Sequence, residues 1–149
     1  MTWQVSLFLE NKIGRLEKAT SVLRDAGINI RSLYLNHTAN GWGILNMVVS
    51  QPELACQRLN EAGMSAALRE IVVLRMADKA GGLHDLLSTI VSAGVNFTNA
   101  TGQLVNDGET AYFMIDVQDI PDARQKLAAV GLKIIDDQRV YGNGQGAST

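Results

Sequence analysis

Leu7-Phe8-Leu9-Glu10-Asn11-Lys12-Ile13-Gly14-Arg15-Leu16 and, 67 residues on, Leu74-Arg75-Met76-Ala77-Asp78-Lys79-Ala80-Gly81-Gly82-Leu83 are two copies of one junction. In each, an alternating apolar segment ends in a short polar turn closed by glycine, and a helical period starts at once. Val5, Leu7 and Leu9 alternate with Ser6, Phe8 and Glu10, and Val72, Leu74 and Met76 are their counterparts. That period of two is the mark of a strand with one buried face. Leu16, Ala19, Leu23 and Ala26 are spaced 3, 4, 3, and Leu83, Leu86, Ile90 and Ala93 repeat the spacing. It predicts a helix with one buried stripe. Gly27 and Gly94 stand where a glycine ends such a helix.

Outward from the junction the repeat continues. Residues 3–50 laid on 70–117 at this constant offset give 11 identities in 48 positions, where composition alone gives roughly 3. Gly27-Ile28-Asn29-Ile30 matches Gly94-Val95-Asn96-Phe97, and Asn40-Gly41 matches Asp107-Gly108. Second strands run through about Thr38 and Val105. Asn-Gly and Asp-Gly then read as two-residue hairpin turns with positive φ at both positions. Third strands are expected at Ile44–Val49 and Ala111–Val117. Beyond residue 50 the register slips, as one or two inserted loop residues would cause. Ser50 and Asp119 then cap second helices with proline in the first turn, the second carrying the stripe Ala123, Leu127 and Val130. Gly63 and Gly131 end these helices. Short fourth strands follow near Met64–Leu68 and Leu132–Asp136.

The order is β-α-β-β-α-β, twice. Adjacency and handedness make each copy an α+β, ferredoxin-like unit: a four-stranded antiparallel sheet with both helices on one face. The expected division is 1–69 and 70–141, with Arg69 and Glu70 lying where one strand runs into the next. A disordered tail, 142–149, rich in Gly, Ser and Asn, completes the chain.

Composition narrows the function. The chain has 149 residues, 46% hydrophobic and 19% charged, with a formal net charge of −2. These values suit a folded protein and show no basic stripe for nucleic acid or an anionic membrane. One cysteine, Cys56, allows no internal disulfide and points to a reducing cytoplasm. No secretion signal is visible at the N-terminus. His37 and His84 occupy unrelated positions in the two copies and read as surface or half-buried side chains. Neither has a partner at metal-ligand spacing. No phosphate-binding glycine motif occurs, and Cys56 has no paired base. Neither catalysis, a metal nor a cofactor is expected.

The remaining candidates are the turns Asn11-Lys12-Ile13-Gly14 and Asp78-Lys79-Ala80-Gly81. Each leads into a helix N-terminus, whose unpaired N–H groups and positive dipole end suit a carboxylate. Asn11 and Asp78 can accept from an ammonium group. Asn29 and Asn96 follow the first helix of each copy. Two readings stand at this point. The four residues cap helices and make turns, or they supply the donor and acceptor pairing that a free amino acid needs.

At these residues the chain resembles the ACT domain family, in particular small bacterial proteins made of two ACT units. The resemblance spans about Gln4 to Tyr141. It rests on the turn ending in Gly-x-Leu and on the Gly-[Ile/Val]-Asn-[Ile/Phe] entry to the second strand, present twice. It implies units paired side by side and an amino acid or related small molecule bound at the interface between them. Asn11–Gly14, Asp78–Gly81, Asn29 and Asn96 would make the contacts. It also implies a regulatory role, with a metabolic enzyme as a possible partner and a homodimer as the expected assembly. Ile13 and Ala80 replace the proline common before the loop glycine. The alternative is an interaction module that binds an enzyme without a small ligand. Strand three of copy one favours it, being apolar on both faces (Ile44 and Val48, Leu45 and Met47).

Overall fold

The structure, a computed structural model, describes residues 1–105, 107–135 and 137–142. The expected tail lies outside the described residues apart from Gly142. The chain divides into two compact units. One is Trp3–Arg69 with the segment beginning at Asp137. The other is Met1–Thr2 with Glu70–Asp136.

The first unit contains β1 (Thr2–Glu10), α1 (Arg15–Asp25), β2 (Ile30–His37), β3 (Trp42–Val49), α2 (Pro52–Glu61) and the start of β4 (Ser65–Ala77). Its strand order is β2-β3-β1-β4, with β1 and β2 both antiparallel to β3. The second unit contains the rest of β4, α3 (Gly82–Ala93), β5 (Asn99–Leu104), β6 (Thr110–Asp116) and α4 (Ile120–Ala129), in the order β4-β6-β5. The class is α+β, with antiparallel sheet and ferredoxin-like element order in each unit. The fourth strand expected at Leu132–Asp136 is reduced to one bridge, Leu74 to Ile134, with the Ile135 N–H donating to the Val73 carbonyl at 2.9 Å. The chain enters a further helix, α5 (Asp137–Tyr141), before a longer ladder forms.

Each unit has its own core. In the first, Leu7, Leu45 and Met47 of the sheet meet Ala19 and Leu23 of α1 and Ala55 and Leu59 of α2 in one cluster. Both helices therefore share one sheet face. In the second, Leu74, Ile115, Leu86, Ile90 and Leu127 do the same, and Phe97 meets Phe113 edge-on at 5.8 Å and 83°. Each fully buried leucine contributes about 1.5–3 kcal/mol. The helical stripes are shorter than expected. Leu16, Leu83 and Val130 are 38%, 44% and 36% exposed. Leu16 and Leu83 sit in the first turn of their helices and Val130 just past the last turn of α4.

The repeat is offset differently after the hairpin. Glu10 pairs with Trp42, but its counterpart Ala77 pairs with Thr110 rather than Glu109. One extra residue therefore lies in the β5–β6 turn, earlier than the slip read beyond residue 50. From there on the true offset is 68. Because strand side chains alternate, a one-residue slip exchanges the faces. Leu45 and Met47 correspond to Phe113 and Ile115 in the two cores. The aligned identity Met47/Met114 joins residues on opposite faces.

The turns and caps follow local chemistry. Asn40 and Gly41 both have positive φ (74° and 76°), in a single 3-10 turn at Ala39–Gly41. In the second copy Gly108 has φ 73° but Asp107 is not at positive φ. The Asp107 carboxylate instead accepts from the N–H groups of Glu109 (2.9 Å) and Thr110 (2.8 Å) and from the Thr110 hydroxyl (2.7 Å), an Asx turn. Asp119 caps α4 through the Asp122 N–H at 3.0 Å. Ser50 does not cap α2, whose N-cap residue is Gln51. Its hydroxyl accepts from the Asn29 N–H at 3.0 Å. Val48 faces away from the core yet is 2% exposed. Helix α5 packs against β3, and its Val140 is fully buried. The Trp3 N–H donates to the Tyr141 hydroxyl at 2.6 Å. The chain's own C-terminal helix thus meets the strand that is apolar on both faces.

Candidate functional site

The first junction folds from its own backbone. At the end of β1 the Lys12 N–H turns back to the Glu10 carbonyl (2.8 Å), and the Asn11 N–H donates to Gly41 across the hairpin (2.7 Å). The Arg15 N–H reaches Lys12 at 3.3 Å, and the Lys18 N–H reaches Gly14 at 3.0 Å, starting α1. Gly14 is the N-cap with φ 86°, a left-handed value that favours glycine. No side chain caps the helix, so Asn11 does not play that part. An uncapped α-helix leaves its early N–H groups open, here those of Leu16 and Glu17. The local reason is that glycine supplies the conformation but offers no acceptor.

A cleft of about 200 Å³ opens beside this turn. Leu9, Leu16 and Leu35 give it apolar walls, and Gly43 also lines it. Glu10, Asn11, Lys12, Arg15 and His37 form its polar rim. Glu10 and Arg15 also border an adjoining hollow of about 160 Å³ beside Phe8, Trp42 and Met64. The Lys12 ammonium lies 2.8 Å from the Glu10 carboxylate, and the Arg15 guanidinium reaches the same oxygen at 4.0 Å. Hydrogen bonding and charge from Lys12, with a smaller pull from Arg15, hold the Glu10 carboxyl below its ordinary range. Beside His37 and Asn11, the rim thus carries two basic side chains, Lys12 and Arg15, and one carboxylate, Glu10. Such a site can bind a small zwitterion or anion, the anion by charge-assisted hydrogen bonds.

The structure brings Asn11, Lys12 and Gly14 together at this turn, with Ile13 fully exposed at its tip. It does not bring Asn29 there. Asn29 precedes β2 at the end where Ile30 pairs with Val49, whereas the cleft lies at the His37–Gly43 end. Seven residues of strand separate the two ends, about 23 Å. The Asn29 backbone is engaged with Ser50 through both its N–H and its carbonyl. Asn96 is likewise exposed, before β5. Asp78, Lys79, Ala80 and Gly81 form the equivalent turn of the second unit. There the Asp78 N–H donates to Glu109 (2.9 Å), and Gly81 (φ 84°) is an N-cap without a side-chain bond. Sequence reasoning missed Glu10, Arg15, Leu16, Leu35 and His37. Glu10 and Arg15 flank the turn and could have been included on proximity. Leu35 and His37 enter only through the β2–β3 pairing. His84 is exposed, and no group of three or more His, Cys, Asp or Glu among the described residues could hold a metal ion. Among the described residues no helix is long and apolar enough to cross a membrane.

Two glycine-initiated helices on a repeated α+β unit, each opening beside a polar turn, define a tandem small-domain protein of the ACT type. Residues 1–141 match the ACT domain pair family, and the chain belongs to it. No match was found among curated proteins. Among solved structures, the chain is similar to a protein from Bacteroides thetaiotaomicron, at 26% identity over 94% of this chain and 95% of that one, with a TM-score of 0.85. It is also similar to the ligand-free regulatory subunit of aspartate kinase from Thermus thermophilus (15% identity, 87% and 92% covered, TM-score 0.60). A third likeness is to aspartate kinase of Clostridium acetobutylicum (11% identity, 86% of this chain but 32% of that one, TM-score 0.52). The last two likenesses concern the fold alone.

Proposed function

We propose that this chain is a regulatory module that binds a free amino acid, or a related small metabolite, at the turn before the first helix. The observation that carries this reading is the uncapped N-terminus of α1 opening beside a rim of Glu10, Lys12 and Arg15. The Leu16 and Glu17 N–H groups and Arg15 suit a carboxylate, and Glu10 and Asn11 suit an ammonium group. The Asp78–Gly81 turn of the second unit repeats the backbone. The role is binding rather than catalysis: no Ser, Thr or Cys nucleophile lines the cleft among the described residues. Ligand acts by differential affinity for two states of the chain or of a partner. A metabolic enzyme is the proposed partner, the cytoplasm the proposed location and a homodimer the proposed assembly.

A thermal-shift panel of free amino acids tests this. A ligand at a hundred times its Kd stabilises by about 2.7 kcal/mol, a readily measured shift. No shift from any of them at millimolar concentration refutes the reading. A second reading, a protein-binding module without small ligand, is favoured by Phe8 and Trp42, which are 49% and 45% exposed on adjacent strands. It predicts that enzyme association survives Arg15→Gly and is lost in Phe8→Ser.

A further inference from the structure

The two repeats share a backbone at the turn but not its chemistry. With the register established by strand pairing, each residue of the first cleft has a counterpart in the second unit. Glu10 corresponds to Ala77, Arg15 to Gly82 and His37 to Leu104. Leu35, a wall of the cleft, corresponds to Gly102, and Gly43 to Ala111. Only Asn11/Asp78 and Lys12/Lys79 keep polar side chains at the rim. The change at Gly82 is built into the packing. A Cβ there would overlap the Ala77 carbonyl oxygen, so no arginine can stand where Arg15 stands without moving the turn.

We infer that ligand recognition is confined to the first repeat, one site per chain, and that the site takes an α-amino acid with an acidic side chain. This rests on the amino-acid reading above and sharpens it. The argument is one of exchanged partners. The Arg15 guanidinium approaches Glu10 only at 4.0 Å and makes no side-chain hydrogen bond among the described residues. Its planar fork is therefore available for a ligand α-carboxylate, beside the open N–H groups of α1. The ligand ammonium has Glu10 and Asn11 as acceptors. Taking Glu10, however, displaces Lys12 from its 2.8 Å partner. A second carboxylate on the ligand replaces that partner. Three cations then face three anions, whereas a neutral side chain leaves Lys12 unmatched. The cleft, about 200 Å³, is smaller than pockets that hold drug-sized ligands. Leu9, Leu16 and Leu35 suit the short methylene chain between the charged groups.

Isothermal titration of the full chain tests this with L-aspartate, L-glutamate, L-alanine, L-valine, L-lysine and succinate. The expected result is one site per chain and acidic amino acids binding about tenfold or more tighter than the neutral ones. Succinate, lacking the ammonium, is weaker than L-aspartate. Arg15→Gly, which writes the second repeat's residue into the first, weakens binding about 10–100-fold, the loss of one charge-assisted pair. Arg15→Lys recovers part of it, and an unchanged urea midpoint shows that the fold is intact. Asp78→Ala leaves affinity and stoichiometry as they were. Two sites per chain, tightest binding of a neutral or basic amino acid, indifference to Arg15→Gly, or loss of binding in Asp78→Ala each overturns the inference while leaving the amino-acid reading standing. Absence of binding by every amino acid in the series overturns both.

Discussion

Gly82→Ala adds one carbon, and the second unit has no room for it. The new Cβ would overlap the Ala77 carbonyl oxygen and lie 3.1 Å from the Ala77 carbonyl carbon. Both neighbours are backbone, so no rotamer change relieves the contact. The turn must open. That puts at risk the Lys79 N–H bond to the same Ala77 oxygen and the Gly82 N–H bond to Lys79, both 3.0 Å. Each such bond contributes about 1 kcal/mol, and overpacking costs about 1–3 kcal/mol. Replacing glycine by alanine in a helix returns at most about 1 kcal/mol, so with both bonds lost the net loss is about 2–4 kcal/mol. The first repeat shows the alternative geometry: there Arg15 occupies the position, and the matching N–H bond to Lys12 is longer, 3.3 Å. Urea unfolding followed by far-UV circular dichroism measures the effect. Gly102→Ala is the control, because its Cβ meets nothing within 4 Å, and it should fall within about 0.5 kcal/mol of the parent or stabilise slightly. A Gly82→Ala protein within about 0.5 kcal/mol of the parent would show that the turn accommodates a side chain, and the steric account of the second repeat would fail.

Further outcomes follow from the same packing. Asp107 accepts from the Thr110 hydroxyl and from the Glu109 and Thr110 N–H groups, with Arg75 adding a smaller attraction, and these hold its pKa below the ordinary value. A carboxylate with a lowered folded pKa stabilises above its unfolded pKa, about 3.9, and loses that contribution as pH falls through the folded value. Asp107→Asn should therefore be less stable than the parent at pH 7, and the gap should close below about pH 4; a gap independent of pH refutes this. Val140→Ala in α5 removes two buried carbons and should cost about 2 kcal/mol, read from the urea midpoint. No loss would mean that α5 does not stabilise β3.

Much of the fold was legible because it is written in local geometry. Alternation in Val5–Leu9 and the 3, 4, 3 spacing from Leu16 act within a few residues. Gly27 and Gly94 take positive φ where a helix must end, and Asp119 caps where its carboxylate accepts from the Asp122 N–H three residues on. The failures were also local, and each had a nonlocal cause. Ser50 is as good a cap as Asp119, but Asn29, brought alongside by the strand pairing, took its hydroxyl. Leu16 and Leu83 belong to the apolar period but stay partly exposed in the first turn of their helices. Asp107-Gly108 has the composition of a type I′ turn, yet one extra residue in the loop left Asp107 to form an Asx turn. The same insertion shifted every later side chain, which a match such as Met47/Met114 conceals.

The amino acids alone therefore determined that the chain is a duplicated β-α-β-β-α-β unit of the ACT type, with a glycine-initiated helix after each first strand. Period, cap and turn are short-range properties, and two copies at a fixed offset confirm each other. Tertiary structure decided what surrounds those helices. Strand pairing set Leu35, His37 and Gly43 beside Glu10 and Arg15, and placed Asn29 at the far end of the sheet. That the second repeat has Ala77, Gly82 and Leu104 at the matching positions follows from the constant offset of 67. A cleft also draws on side chains distant in sequence, and a one-residue change of register exchanges the strand residues that line it.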